Sequence, residues 1–362
     1  YAFNHVDAKK ELMRFAVFTH VEHQFKGGKY FAYAPYVREM NIWFQNLNSE
    51  FGIQNYELGG TVEVVAPLLE EKEVITSLAY EYPQVSFTRI PGFDLLSSKG
   101  VFKSLFKIPV ICFRIFSAMS RADHLHLRCP GNIGLLACIV QVFFPGKRKT
   151  AKYAGNWDPE ATQPWTYKLQ RWILSNTFLT RKMTVLVYGE WPGQNKNVKP
   201  FFTASFSEKA IQEVQEKRFQ APYQFISVGN LVPGKGLKMA LNVILGLQEK
   251  GVDCRLEIYG EGPERSAMEA YVKVAEIKAV EFRGNRSLEE LELAYQKAHF
   301  VILPSKSEGW PKAVAEGMFF GCIPVVTDVS CVRWMLGDGS RGILIEGRGE
   351  RTEDRGQRTE GR

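Results

Sequence analysis

The chain has 362 residues, enough for two or three domains, and 45% of them are hydrophobic, ample for two cores. Its 46 Lys and Arg against 39 Asp and Glu give a formal charge of +7, an excess that favours an anionic partner, while the absence of a compact Lys/Arg block excludes a duplex nucleic-acid reader. The six cysteines, Cys112, Cys129, Cys138, Cys254, Cys322 and Cys331, form no CxxC pair and several lie in apolar runs, which excludes a disulfide framework or zinc site and fits buried thiols in a reducing compartment.

No signal peptide is visible, and the chain opens on Tyr1 rather than Met, as a fragment or a trimmed chain would. The longest apolar run, Ile133 to Phe144, is too short to span a bilayer and contains Gln141.

In chain order, Arg14 to Thr19 reads as a first strand. Gly27-Gly28 follows, where glycine amides at a sheet end could meet a diphosphate or a sugar, or simply form a turn; a helix is expected from Tyr30 to about Leu47. His20 and His23 lie nearby without a third ligand at metal-binding spacing. Thr61 to Ala66 and Val85 to Ile90 read as strands. Between Lys99 and Arg121, aromatic and aliphatic residues mix with Lys99, Lys103, Lys107, Arg114 and Arg121. That segment suits either an anionic membrane surface or a crossover helix with a solvated basic face. His124 to Leu127 ends a strand, with His126 at its carboxyl end, placed for a substrate hydrogen bond or for a satisfied core position. A helix from about Ile133 and strands at Thr150 to Ala154 and Thr184 to Tyr188 complete a doubly wound pattern.

Residues from Pro192 to Pro222 mix Gly, Asn, Pro and Ser and read as a linker. A second alternation follows: strands at Phe225 to Gly229, Arg255 to Gly260, Val280 to Gly284, Phe300 to Leu303 and Ile323 to Thr327, with helices at Gly236 to Lys250, Pro263 to about Glu276 and Leu288 to Ala298. Two Rossmann-like halves imply a cleft between facing sheet ends. The expected boundaries are 1–203 for the first domain, 204–347 for the second, and 348–362 for a disordered tail that repeats Arg-Thr-Glu.

Two segments carry the chemistry. Val228 to Gly236 is a strand-to-helix turn whose glycines allow close approach and whose Lys235 supplies a charge for phosphate; an ordinary turn with a solvated lysine is the alternative. Ser307 to Gly317 places Glu308 in a loop and Glu316 on a helix that Pro311 starts as its first residue. The carboxylates are thereby separated by roughly 7–8 Å along the axis, with a helix N-terminus that favours an anion between them. A nucleotide-sugar, with its diphosphate flanked by two hydroxylated rings, suits this layout; surface positions for both glutamates are the alternative. No Asp-x-Asp motif occurs, so no metal-held diphosphate is expected.

These residues resemble a known family. Val228-Gly229-Asn230-Leu231 with Lys235-Gly236, Ile258 to Pro263, Phe282-Arg283-Gly284, Leu303 to Gly309, Glu316-Gly317-Met318 and Gly321 to Val326 follow the order and spacing of the donor domain of retaining GT-B glycosyltransferases of group 1. That class includes glycogen synthases, sucrose synthases and bacterial mannosyltransferases. The first half is similar more loosely, through Gly27-Gly28 and the Asp123 to His126 strand end.

The resemblance implies an α/β GT-B fold, two Rossmann-like domains facing across a cleft, and a metal-independent transfer from a nucleotide-diphosphate sugar, with no cofactor, to a glycan or lipid-linked acceptor. It implies that Lys235 contacts the diphosphate, Glu308 lies by the sugar, Glu316 holds the ribose hydroxyls, and amides of Gly27, Gly28 and of Gly309, Trp310, Pro311 and Lys312 cradle sugar and phosphate. His126 matches a histidine that approaches the donor sugar. Asn230 stands where the family has arginine, and Lys306, Lys312 or Arg283 are the candidates to replace that charge. The family continues past Ile345 with helices that cross back to the first domain, so the chain reads as C-terminally truncated. The expected setting is cytoplasmic, with a peripheral position at the inner membrane face as a further expectation. A nucleotide-sugar 2-epimerase and a degenerate sugar-nucleotide-binding protein are the competing readings.

Overall fold

The computed structural model of the chain describes residues 13–46, 60–69, 77–92, 106–203, 206 and 216–345. The expected tail at 348–362, and the part of the basic aromatic segment from 99 to 105, lie outside the described residues. The chain forms two compact units, one up to Phe201 and one from Phe202 onward.

The first unit runs β1 (Arg14–Phe18), β2 (His23–Lys26), β3 (Lys29–Tyr33), α1 (Ala34–Asn46), β4 (Thr61–Pro67), β5 (Ser77–Ala79), β6 (Val85–Ile90), α2 (Ile108–Arg121), β7 (His124–Cys129), α3 (Asn132–Val140), β8 (Arg148–Tyr153), α4 (Trp165–Ser175), β9 (Met183–Tyr188) and β10 (Val198–Phe201). Seven strands form a parallel sheet in the order β10-β9-β8-β7-β1-β4-β6. β1 and β7 are buried almost throughout, as strands covered on both faces must be. One face packs under α1; the other carries the layer of α2, α3 and α4.

The helix expected from Tyr30 starts at Ala34 instead. Residues His23 to Tyr33 fold as a β-hairpin, joined by β5 into a separate antiparallel sheet. Pro35, the second residue of α1, explains the late start, because a proline lacks the N–H that only the first helical turn can spare. The stretch read as a linker contains β10, which extends the first sheet beside β9.

The second unit runs β11 (Tyr223–Val228), α5 (Leu237–Glu249), β12 (Cys254–Tyr259), α6 (Arg265–Val274), β13 (Val280–Gly284), α7 (Leu288–Lys297), β14 (Phe300–Leu303), α8 (Lys312–Phe319), β15 (Ile323–Thr327), α9 (Val332–Met335) and β16 (Ile343–Ile345). Its parallel sheet has the order β13-β12-β11-β14-β15-β16. Strand order therefore reverses between β11 and β14, the place where doubly wound sheets open a crevice beyond their carboxyl ends. α7 begins with a capping box in which Ser287 and Glu290 satisfy each other's backbone N–H groups. Among the described residues no helix is long and apolar enough to cross a membrane.

Candidate functional site

The reversal point of the second sheet brings two loops together. After β11, a short 3-10 turn spans Pro233–Lys235 and ends on Gly236. Gly236 has φ +70°, and a Cβ there would stand 2.0 Å from the Pro304 carbonyl oxygen. Only glycine fits both the left-handed backbone and the contact. The Lys306 N–H donates to the Gly234 carbonyl at 2.9 Å, tying the loop after β14 to the loop after β11.

Within this frame Lys235 Nζ donates to Glu308 Oε1 at 2.7 Å. The Glu308 side chain is 7% exposed and that of Lys235 33%, so the carboxylate is enclosed while the ammonium still reaches water. Thr327 Oγ1 donates to the Ser305 carbonyl, and the Cys331 thiol donates to the Gly309 carbonyl at 3.0 Å. Burial pushes the Cys331 thiol up to about 12, so it stays a neutral donor.

Helix α8 follows directly. Pro311, expected as its first residue, is instead the capping residue, with ψ 86° outside the helical range. The helix still presents its N-terminal turn just beyond Glu308, and such a turn has N–H groups that no carbonyl of its own helix can satisfy. Gly317 lets α8 lie close on β14, since a Cβ there would meet Val301 at 2.7 Å. Glu316, half-buried on α8, accepts from the Tyr295 hydroxyl at 3.1 Å. Burial, then the Glu316 charge, holds Tyr295 firmly protonated.

The other expected residues fall as follows. Asn230 is exposed on the tip after β11. Gly309 and Trp310 lie between Glu308 and α8, and the Trp310 indole donates to the Thr203 carbonyl at 2.9 Å. Arg283, one of the three candidates for the missing charge, is paired with Glu257 and Glu281 at 2.7 and 2.5 Å. Lys306 has an exposed side chain on the same loop as Glu308. A cavity of about 280 Å³ lies away from this corner, between α7 and β11 to β13.

Two expectations in the first unit are corrected. Gly27 and Gly28, with φ +55° and +78°, form the two-residue turn of the β2–β3 hairpin rather than the end of β1. Positive φ at both positions is what a type I′ turn demands, which accounts for the pair without a ligand. His126 is not at a strand end. β7 runs on to Cys129, and His126 lies fully buried in register with Val17 and Thr150. Its Nδ1 lies 2.7 Å from Thr150 Oγ1, and its ring packs between Phe15 and Trp43. It is a core histidine, held uncharged chiefly by burial.

The residues near that strand end which sequence reasoning missed are Glu39, Arg128 and Lys152. Arg128 and Lys152 are register neighbours on β7 and β8. Glu39 of α1 accepts from both, with Lys152 Nζ at 2.8 Å. Burial would raise the Glu39 pKa, but Arg128 and then Lys152 outweigh it and pull it down to about 2. Among the described residues, no group of three or more His, Cys, Asp or Glu is placed to share a metal ion.

Comparison with known proteins gives the site its context. Residues 208–353 match the model of the family described as glycosyl transferases group 1. An uncharacterized glycosyltransferase of Methanocaldococcus jannaschii is 28% identical over 128 residues, 35% of this chain and 35% of that protein. The putative colanic acid biosynthesis glycosyltransferase WcaL of Escherichia coli is 33% identical over 113 residues, 29% of this chain and 28% of that one. The matches thus span about a third of these relatives' length. Among solved structures, the lipopolysaccharide outer core galactosyltransferase WaaB superposes with a TM-score of 0.63 at 16% identity, over 92% of this chain and 86% of that one.

Proposed function

We propose that the chain is a retaining, metal-independent glycosyltransferase, a reading supported by the match of residues 208–353 to the group 1 glycosyl transferase model and by a GT-B fold. It moves a sugar from a nucleotide-diphosphate sugar to a glycan or lipid-linked acceptor. The observation that carries this reading is the Lys235–Glu308 pair at the sheet's reversal point, beside the N-terminal turn of α8. Breaking an anomeric bond builds negative charge on the leaving diphosphate and positive charge on the sugar. Lys235 and the α8 N-terminus stabilise the first as fixed electrostatics, and the Glu308 carboxylate faces the second. Glu308 positions the sugar rather than attacking it, and the leaving phosphate takes the acceptor's proton on the same face. Glu316 holds the ribose hydroxyls while Tyr295 occupies one of its oxygens. The N–H groups of Gly309, Trp310 and Lys312 complete the cradle, to which Pro311 has no donor to give, and the first unit takes the acceptor. The similarity to WcaL and WaaB supports a cell-surface polysaccharide or lipopolysaccharide-type acceptor.

Turnover of Lys235→Ala, Glu308→Ala and Glu316→Ala tests the assignment. Each is expected to lose at least about a hundredfold in rate, with the wild-type product retaining the donor's anomeric configuration by NMR and activity surviving EDTA. Wild-type rates in all three variants would end it. One observation favours a second reading, a sugar-nucleotide-binding protein without transfer: exposed Asn230 stands at the tip where the resemblance calls for a cation. It predicts thermal stabilisation by nucleotide-sugars, about 2.7 kcal/mol at a hundredfold over Kd, with no product on any acceptor.

A further inference from the structure

We infer that the outer face of the α2–α3–α4 layer docks on an anionic lipid bilayer. The first observation is where the charge sits. Residues 106–182 hold twelve Lys and Arg against three Asp and Glu, so on a total of +7 the rest of the chain is net acidic. Setting aside buried Arg128, Lys149 and Lys152, Arg121, which pairs with Glu63, and Arg148, which stands beside His124, the segment keeps seven cations: Lys107, Arg114, Lys147, Lys168, Arg171, Arg181 and Lys182.

The second observation is the shape of α2. A crossover helix needs one apolar face for its sheet, which Ile111, Ile115, Ala118 and Met119 provide. α2 carries another, pointing outward, with Val110 45%, Phe113 72% and Phe116 46% exposed beside Lys107 and Arg114. The patch does not stop at the helix. Phe116 packs on Phe144, with ring centroids 4.9 Å apart, next to Phe143, which is 71% exposed. Lys147 Nζ reaches back to donate to the Ser120 carbonyl at 2.6 Å. α3 packs against both α2 and α4, and α4 adds Trp165 and Trp172, 70% and 60% exposed.

Large aromatic rings set among cations, on the outside of a helical layer, match a headgroup region: rings enter the acyl boundary while Lys and Arg meet lipid phosphates. The surplus of cations over acids commits the partner to an anionic surface.

The test is flotation of the full chain with two kinds of vesicle, phosphatidylcholine alone and phosphatidylcholine with a third phosphatidylglycerol. Binding is expected to the second only, and to weaken as salt rises. Phe113→Ser with Phe143→Ser, and separately Lys107→Glu with Arg114→Glu, should each lower partitioning at least about tenfold. Both should leave circular dichroism unchanged, since all four side chains are exposed. Absence of binding to anionic vesicles, or equal binding by the variants, overturns the inference. So does a wild-type dimer in sedimentation that either variant dissolves, because a second copy would then cover the face. No readout involves sugar transfer, so the result stands apart from the proposed activity.

Discussion

Lys235 and Glu308, 73 positions apart in the chain, meet as a 2.7 Å ion pair across the two strands where the second sheet reverses direction. The pair is asymmetric, with an enclosed carboxylate and a third-exposed ammonium. Removing the lysine therefore strands the costlier charge. Lys235→Met is expected to destabilise the second unit by about 1–3 kcal/mol, below the full range for buried pairs because the lysine is partly screened. Lys235→Met with Glu308→Gln should recover part of that loss. Urea unfolding of the two variants checks it; a double variant no more stable than Lys235→Met contradicts the argument.

Gly236 and Gly234 form a matched comparison two residues apart. Gly236→Ala would force a Cβ to 2.0 Å from the Pro304 oxygen at φ +70°, whereas an alanine at 234 meets nothing within 4 Å. The first substitution should cost upwards of about 2 kcal/mol and the second about 1 kcal/mol or less. Thermal unfolding distinguishes them, and similar melting temperatures would contradict the geometry.

Acid should loosen the first unit in two stages. Burial holds His23 at about 4, and burial with Arg148 does the same for His124, against an ordinary value of 6.5. Their protonated forms are penalised in the folded state, so this stability is whole above pH 6.5 and is lost as pH falls from 6.5 toward 4, on the order of 3 kcal/mol for each. Glu39, lowered from 4.5 to about 2, keeps its contribution above pH 4.5 and loses it only as pH falls toward 2. Stability from urea titrations should drop between pH 6.5 and 4, and His124→Gln should flatten part of that slope. A wild-type profile level across this window would contradict the burial of these rings.

Glu39 is the hinge of a second charge cluster, and its loss is expected to be severe. Glu39→Gln leaves Arg128 and Lys152 as buried neighbours of like charge, at about 3–5 kcal/mol. Lys152→Met should be far milder. Arg128 keeps both its bonds to Glu39, and the new side chain inherits the aromatic surroundings of Tyr188 and Phe201. Denaturant midpoints for the two variants test the ordering.

The parallel strands were the readable part of this sequence. Phe300–Leu303 and Ile323–Thr327 are strands at the expected bounds because two-sided burial writes an apolar run, while Val85–Ile90 and Val280–Gly284, edge strands of the two sheets, show the apolar–polar alternation of half-covered strands. β2 and β3 were missed because Gln24, Lys26 and Lys29 break any such run, and Gly27-Gly28 then looked like a sheet end. His126 misled for a related reason: Arg128 and Cys129 do not look like a buried strand, yet Glu39 neutralises the arginine and lets β7 continue. Lys235 and Glu308 were each visible as chemistry, but their contact depends on strand order, which no local pattern encodes. The Glu39 cluster depends in the same way on α1 crossing over β7 and β8.

Beside the Lys235–Glu308 pair, main-chain bonds fasten the loops of the second unit to one another: Leu231 N–H to the Glu261 carbonyl, Glu264 N–H to the Leu231 carbonyl, and Lys306 N–H to the Gly234 carbonyl. The side chain of residue 230 takes no part in that lattice of amides. The tip can therefore be rewritten, arginine for asparagine included, as a plug-in change that leaves the chassis untouched, which makes position 230 the natural place to retune what this corner of the molecule grips.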